Sequence, residues 1–185
     1  VDVRADLTAR GGRIVLGDLV DKWTSASLGW QSSKIADVAA GAIAATRIDS
    51  GVTLDTRGFW SNQELDSRAM RYLPWRNGGE IILRSSGDVT VAEHALLDVS
   101  SAAAYMADGS VLGGKGGNIT LAADAYMSGV SGIGGRLVFE GEIRGHGVAG
   151  GGTLRLQTGE TVVLGGTVQG SDGVLQAGQS SLADL

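Results

Sequence analysis

The sequence predicts an all-β chain wound as a right-handed parallel β-helix, with three short strands and about 17–21 residues per coil. Three observations predict it. Residues 78–101, "GGEIILRSSGDVTVAEHALLDVSS", hold three apolar runs (81–83, 89–91 and 96–99), each too short for a helix and separated by gaps too short to hold one. Glycine is abundant, 31 of 185 residues against a single proline, more than twice the usual share of about 7%. It never recurs at every third position, so collagen is excluded. The third observation is a repeat.

Five segments share one pattern: "GGRIVL" (11–16), "GGEIIL" (78–83), "GGNITL" (116–121), "GGRLVF" (134–139) and "GGTLRL" (151–156). The third position is polar: Arg13, Glu80, Asn118, Arg136 and Thr153. The fourth and sixth are large and apolar: Ile14 and Leu16, Ile81 and Leu83, Ile119 and Leu121, Leu137 and Phe139, Leu154 and Leu156. The fifth ranges from Val15 through Ile82, Thr120 and Val138 to Arg155. A position that accepts arginine faces outward, so its neighbours face inward, and period two means a strand. These ten aliphatic and aromatic side chains are the expected core.

Spacing sets the architecture. Ile119 to Leu137 is 18 residues, Leu137 to Leu154 is 17, and Leu154 to Val174 is 20. A βαβ unit needs about 30 or more, whereas three short strands and three turns fit. One coil cannot bury its four to six inward aliphatics alone, each contributing about 1.5–3 kcal/mol, so coils must stack. At about 4.8 Å per coil, five or six make a rod of about 25–30 Å. Paired glycines supply the corners with backbone conformations that side chains forbid.

A second pattern, "VDVRA" (1–5), "LDTRG" (54–58) and "LDVSS" (97–101), places Asp2, Asp55 and Asp98 in one register as turn-capping side chains. Later coils set Arg144 or Gln169 in that slot. The whole of 1–185 reads as one β-helix segment of a longer rod, opening inside a repeat on "VDVRADL" without a signal peptide. Excursions leave it at about 17–46, 59–77 and 101–116. The first includes a short helix over 32–46, where Ile35, Val38, Ala39, Ala42 and Ile43 stand at helical spacing. The third, "SAAAYMADGSVLGGKGG" (101–117), reads as a loop.

The second excursion, "FWSNQELDSRAMRYLPWRN", departs from coil composition and interleaves aromatics with arginines. Arg57, Phe59, Trp60, Tyr72, Trp75 and Arg76 form the candidate ligand-contact loop, where rings stack and guanidinium groups donate hydrogen bonds to a saccharide or protein. The plainer alternative is that these aromatics pack on the flank of the rod.

Net charge is −5 with no basic run, which argues against a nucleic-acid partner. No apolar stretch approaches the roughly 18 residues of a membrane span, and the absence of cysteine excludes disulfides and thiolate metal sites. No cofactor, metal site or catalytic centre is expected. "GHG" (145–147) lacks the paired aspartates of a polygalacturonase, so His146 reads as an exposed turn residue and His94 as a surface one. "GGKGGNITL" carries Asn118 where a calcium nonapeptide has aspartate, and no GxSxG, P-loop or HExxH motif occurs.

"LDTRGFW", then "NGGEIILRSSGDVTVAEHALLDVSS", then "ADGSVLGGKGGNITLAA" resembles the filamentous haemagglutinin family of large exported proteins, best over 51–123 and more loosely through 176. The resemblance implies a long right-handed β-helix, two-partner secretion through an outer-membrane pore partner, an extracellular or bacterial cell-surface location, and adhesion to a receptor or glycan on host or neighbouring cells. The Asn-Pro motifs of the family's secretion domain and an RGD triplet are absent, which makes this an internal rod segment, and no catalytic residues carry over. Two other readings remain open: a polysaccharide-active β-helix enzyme, with acids from adjacent coils converging on a groove, and the rod of a polymorphic toxin or fibre.

Overall fold

Short aliphatic runs bounded by glycine leave backbone groups that find partners only in other strands. The computed structural model describes residues 1–18, 44–65, 75–123, 135–158 and 162–164, and there the chain is all-β with no helix. It opens with β1 (Asp2–Val3), β2 (Leu7–Thr8) and β3 (Arg13–Asp18). Next come β4 (Ala45–Ile48), β5 (Thr53–Asp55), β6 (Ser61–Leu65) and β7 (Glu80–Ser85). β8 (Asp88–Val91), β9 (Leu96–Asp98), β10 (Ala103–Met106), β11 (Val111–Gly113) and β12 (Asn118–Ala122) follow. The last four are β13 (Leu137–Phe139), β14 (Glu142–Arg144), β15 (Thr153–Gln157) and β16 (Val162–Leu164).

Three sheets are wholly parallel: β1-β4-β8-β13-β16, β14-β9-β5-β2 and β15-β12-β7-β3. The chain visits them in rotation, first, second, third and back to the first, so that a strand's partner arrives only after a full circuit. A fourth sheet, β11-β10-β6, is entered only between the second and third; β10 runs parallel to β6 and antiparallel to β11. Among the described residues no helix is long and apolar enough to cross a membrane.

Register in the third sheet is uniform. Ile14, Ile81, Ile119 and Leu154 form one column, and Leu16, Leu83, Leu121 and Leu156 another. Val15, Ile82, Thr120 and Arg155 form the row between them. Ile81, Leu83, Ile119 and Leu121 are buried with Ile48, Leu54, Val89, Val91, Leu97 and Leu137 in a single cluster drawn from all three sheets. Ile14 is buried too, and Leu16, Phe139 and Leu156 pack half-buried against the cluster. Leu154 is 44% exposed, and among the described residues β15 is the last strand of its sheet, with a neighbour on one side only.

Several expectations are corrected. "GGRLVF" does not join its four look-alikes: Leu137 and Phe139 lie in the first sheet, opposite Val89 and Val91. Counting it as a full repeat gave the 17- and 18-residue spacings, whereas Ile81 meets Ile119 after 38 residues and Ile119 meets Leu154 after 35. Three strands do fit in 80–98, but the return includes an excursion. Gly11 of the first glycine pair has left-handed backbone, φ +62°, as expected of a corner, but the later pairs serve close approach instead: a Cβ on Gly78 would run into the Val99 carbonyl oxygen, and one on Gly117 into that of Gly79. The segment 101–116 is not a bare loop, since it forms β10 and β11. Of the expected helix over 32–46, Ala45 and Thr46 belong to β4 and 32–43 lie outside the described residues, as do Tyr72, Gln169 and Val174.

Candidate contact surface

The surface is rooted in two carboxylates. Asp55 ends β5, Asp98 ends β9, and they are partners across the second sheet. Each takes an amide of the turn that follows it: Arg57 N donates to Asp55 Oδ1 and Ser100 N to Asp98 Oδ1, both at 2.9 Å. Aspartate closes turns by this local bond two residues on. The two residues are 4% and 3% exposed, and a buried charge needs compensation. Arg57 supplies it, with Nε donating to Asp55 Oδ1 at 3.0 Å and Nη2 to Oδ2 at 2.8 Å, while Nε lies 3.7 Å from Asp98 Oδ2. Arg10 adds a contact of 3.2 Å to Asp55 Oδ2. The Arg57 hydrogen bonds hold the Asp55 carboxyl below its usual range, against the opposing effect of burial, and Asp55 in turn raises the Arg57 guanidinium.

Asp2 is not part of this ladder. It sits in the first sheet opposite Arg47 and accepts a hydrogen bond of 2.8 Å from Arg4 Nε, and Thr8 occupies the register position beside Asp55. Arg144 stands opposite Asp98, where the sequence placed it, and donates from Nε to Glu142 at 2.6 Å.

From the Asp55 turn the chain runs through Phe59 and Trp60 into β6, and from the Asp98 turn through Ala102 into β10. These excursions meet, with Ser61 opposite Ala104 and Leu65 opposite Met106. Ala104 and Met106 are buried, and strand alternation turns Trp60 and Tyr105 to the other face, where they are 62% and 59% exposed. Tyr105 pairs with the exposed Val111, and the exposed Val148 lies over Gly113 at the far end of β11. An exposed apolar cluster of this kind marks an interaction site more often than scattered single residues do.

Among the contact residues expected from sequence, Phe59 and Trp60 are exposed, Trp75 is half-buried and Arg76 is exposed. The Arg76 carbonyl accepts the Ala102 amide at 2.9 Å and packs against Gly58, which brings Arg76 beside the start of both excursions. The Arg57 guanidinium is engaged by Asp55. Tyr105, Val111 and Val148 were missed. The one signal for Tyr105 was an aromatic alternating with small residues in "AAYM", where a strand reading would have turned it outward.

Among the described residues no group of three or more His, Asp or Glu could hold a metal ion. A cavity of about 460 Å³ opens near the end of the third sheet, walled by Val99, Ile119, Ile143 and Leu154 with His146 beside it. Asp55 and Asp98 are acids on adjacent strands, yet both are buried and held by amides and arginine rather than lining a groove. Comparison of the chain with family models, curated proteins and solved structures finds no match in any of the three.

Proposed function

We propose that this chain is a structural and adhesive rod segment of a secreted or surface-exposed bacterial protein of the filamentous haemagglutinin type. In this reading the three parallel sheets wind as a right-handed β-helix, the handedness of nearly all parallel crossovers. The chain reaches the cell exterior through an outer-membrane pore partner and carries no catalytic centre. The fourth sheet makes the contacts, to a receptor or glycan on host or neighbouring cells.

The observation that carries the reading is the division of labour between sheets. Three of them recur in rotation and enclose one aliphatic core, while the fourth is assembled from the excursions and presents Trp60, Tyr105 and Val111. The order of motifs over 51–123 adds the family resemblance. The test is binding of the purified chain to epithelial and bacterial cells. A Trp60→Ser/Tyr105→Ser double variant should bind at least about tenfold more weakly with unchanged circular dichroism and melting, a loss typical of removing aromatic anchors. Undiminished binding by the folded variant would rule out the fourth sheet as the contact.

A further inference from the structure

We propose that Asp55, Asp98 and Arg57 form an acid-released latch that holds the fourth sheet onto the three parallel sheets. The claim concerns how that sheet is anchored, whatever it binds. Both excursions start at the latch: the Asp55 turn leads into Phe59, Trp60 and β6, and the Asp98 turn into Ala102 and β10. The turns are tied to each other as well as to their carboxylates. Thr56 N donates to the Asp98 carbonyl and Gly58 N to the Ser100 carbonyl, each at 2.9 Å.

The charges around the latch alternate. Arg10 approaches Asp55 from the turn after β2, Arg57 lies between Asp55 and Asp98, and Arg144 of β14 stands opposite Asp98. Glu142 holds Arg144, and His146 lies close by on the same turn, its amide donating to Ser100 Oγ at 3.2 Å. Adding a proton to Asp55 removes the negative charge that Arg10 and Arg57 share and turns one acceptor oxygen into a donor. The turn loses its charge-assisted bonds while two guanidinium groups stay behind.

The direction follows from the folded state. Arg57 keeps the Asp55 carboxyl below its unfolded value, so the stabilisation is in place above that value and is lost as pH falls through the folded one. The latch is therefore closed at neutral pH and opens in acid. The aliphatic columns of the third sheet have no titrating side chain facing inward and do not share this response.

Amide exchange on the full chain, followed by mass spectrometry from about pH 7 to about pH 2.5 and corrected for intrinsic rates, reads the latch directly. Residues 59–65 and 102–113 should lose at least about tenfold protection at a pH where 80–85 and 118–122 keep theirs. Asp55→Asn mimics the protonated acid and should show raised exchange in 59–65 already at neutral pH. Arg57→Lys keeps the charge but not the two-pronged donor, and should move the opening up by about one pH unit. Loss of protection in all segments together would overturn the proposal. So would wild-type exchange in Asp55→Asn, or an unshifted opening in Arg57→Lys should the asparagine variant not fold.

Discussion

Thr56 follows Asp55, is fully buried, and has no partner for its Oγ1. Val99, which has the same shape without the hydroxyl, follows Asp98 as Thr56 follows Asp55, Asp98 being the register partner of Asp55. Leaving a buried hydroxyl unsatisfied costs about 1–3 kcal/mol, so Thr56→Val should stabilise the fold by about 1 kcal/mol in denaturant titration; a destabilised variant would mean that the hydroxyl is in use. His94 holds φ at +63°, in the turn position where the preceding circuit has Gly51 at +76°. The left-handed conformation costs a side-chain-bearing residue about 1–2 kcal/mol. His94 is exposed and its ring makes a 3.5 Å contact to the equally exposed Glu93, which is worth little. Thermal melts of His94→Gly should accordingly show a gain of about 1 kcal/mol, and no gain would show that the ring contributes more than its exposure implies.

At the level of strands, burial rather than composition sets what each repeat contributes. Ile119 and Leu154 occupy one column, but among the described residues Ile119 has neighbours on both sides and Leu154 on one. Ile119→Ala should cost about 2–5 kcal/mol, and Leu154→Ala under about 1 kcal/mol; equal costs would mean that the exposed end of the column is covered. Four of the five glycine-paired strands are legible in order and register, because their inward positions alternate around a variable one and three of their corners admit no Cβ. The fifth misled, since the same local demands recur at another corner: "GGRLVF" states that a strand is present without stating which sheet receives it. The fourth sheet was illegible for a different reason. "SNQEL" is polar and lies as a strand beside "AAYM", which is short and pairs on both sides, with β6 and with β11. The candidate surface is accordingly half visible: Phe59 and Trp60 stand out by type, while Tyr105 depends on the pairing of β10 with β6, 41 to 43 residues away, and Val111 on its pairing with Tyr105. Arg57 reads as a ligand contact by its chemistry, but that chemistry is occupied by Asp55, whose role as a turn cap is legible from the register it shares with Asp98.

For the molecule as a whole, each described round through the three parallel sheets pairs with the rounds next to it, and in the β-helix proposed above stability is close to a sum over neighbours. Protection from exchange should therefore be highest in β7, β8 and β9, which have partners on both sides, and lowest in β2, β3, β14 and β15, among the described residues the outer strands of the second and third sheets. Uniform protection would mean that the described circuits open as one unit. The uniform register of the third sheet bears also on heredity. A slip of one residue inside 80–85 would reverse Ile81 and Leu83 against Ile14, Leu16, Ile119 and Leu121. Adding or removing a whole circuit keeps every column intact, because each join presents the same aliphatic pair to the next. Lineages carrying this architecture should thus change length in steps of complete circuits, with smaller gains and losses confined to the excursions.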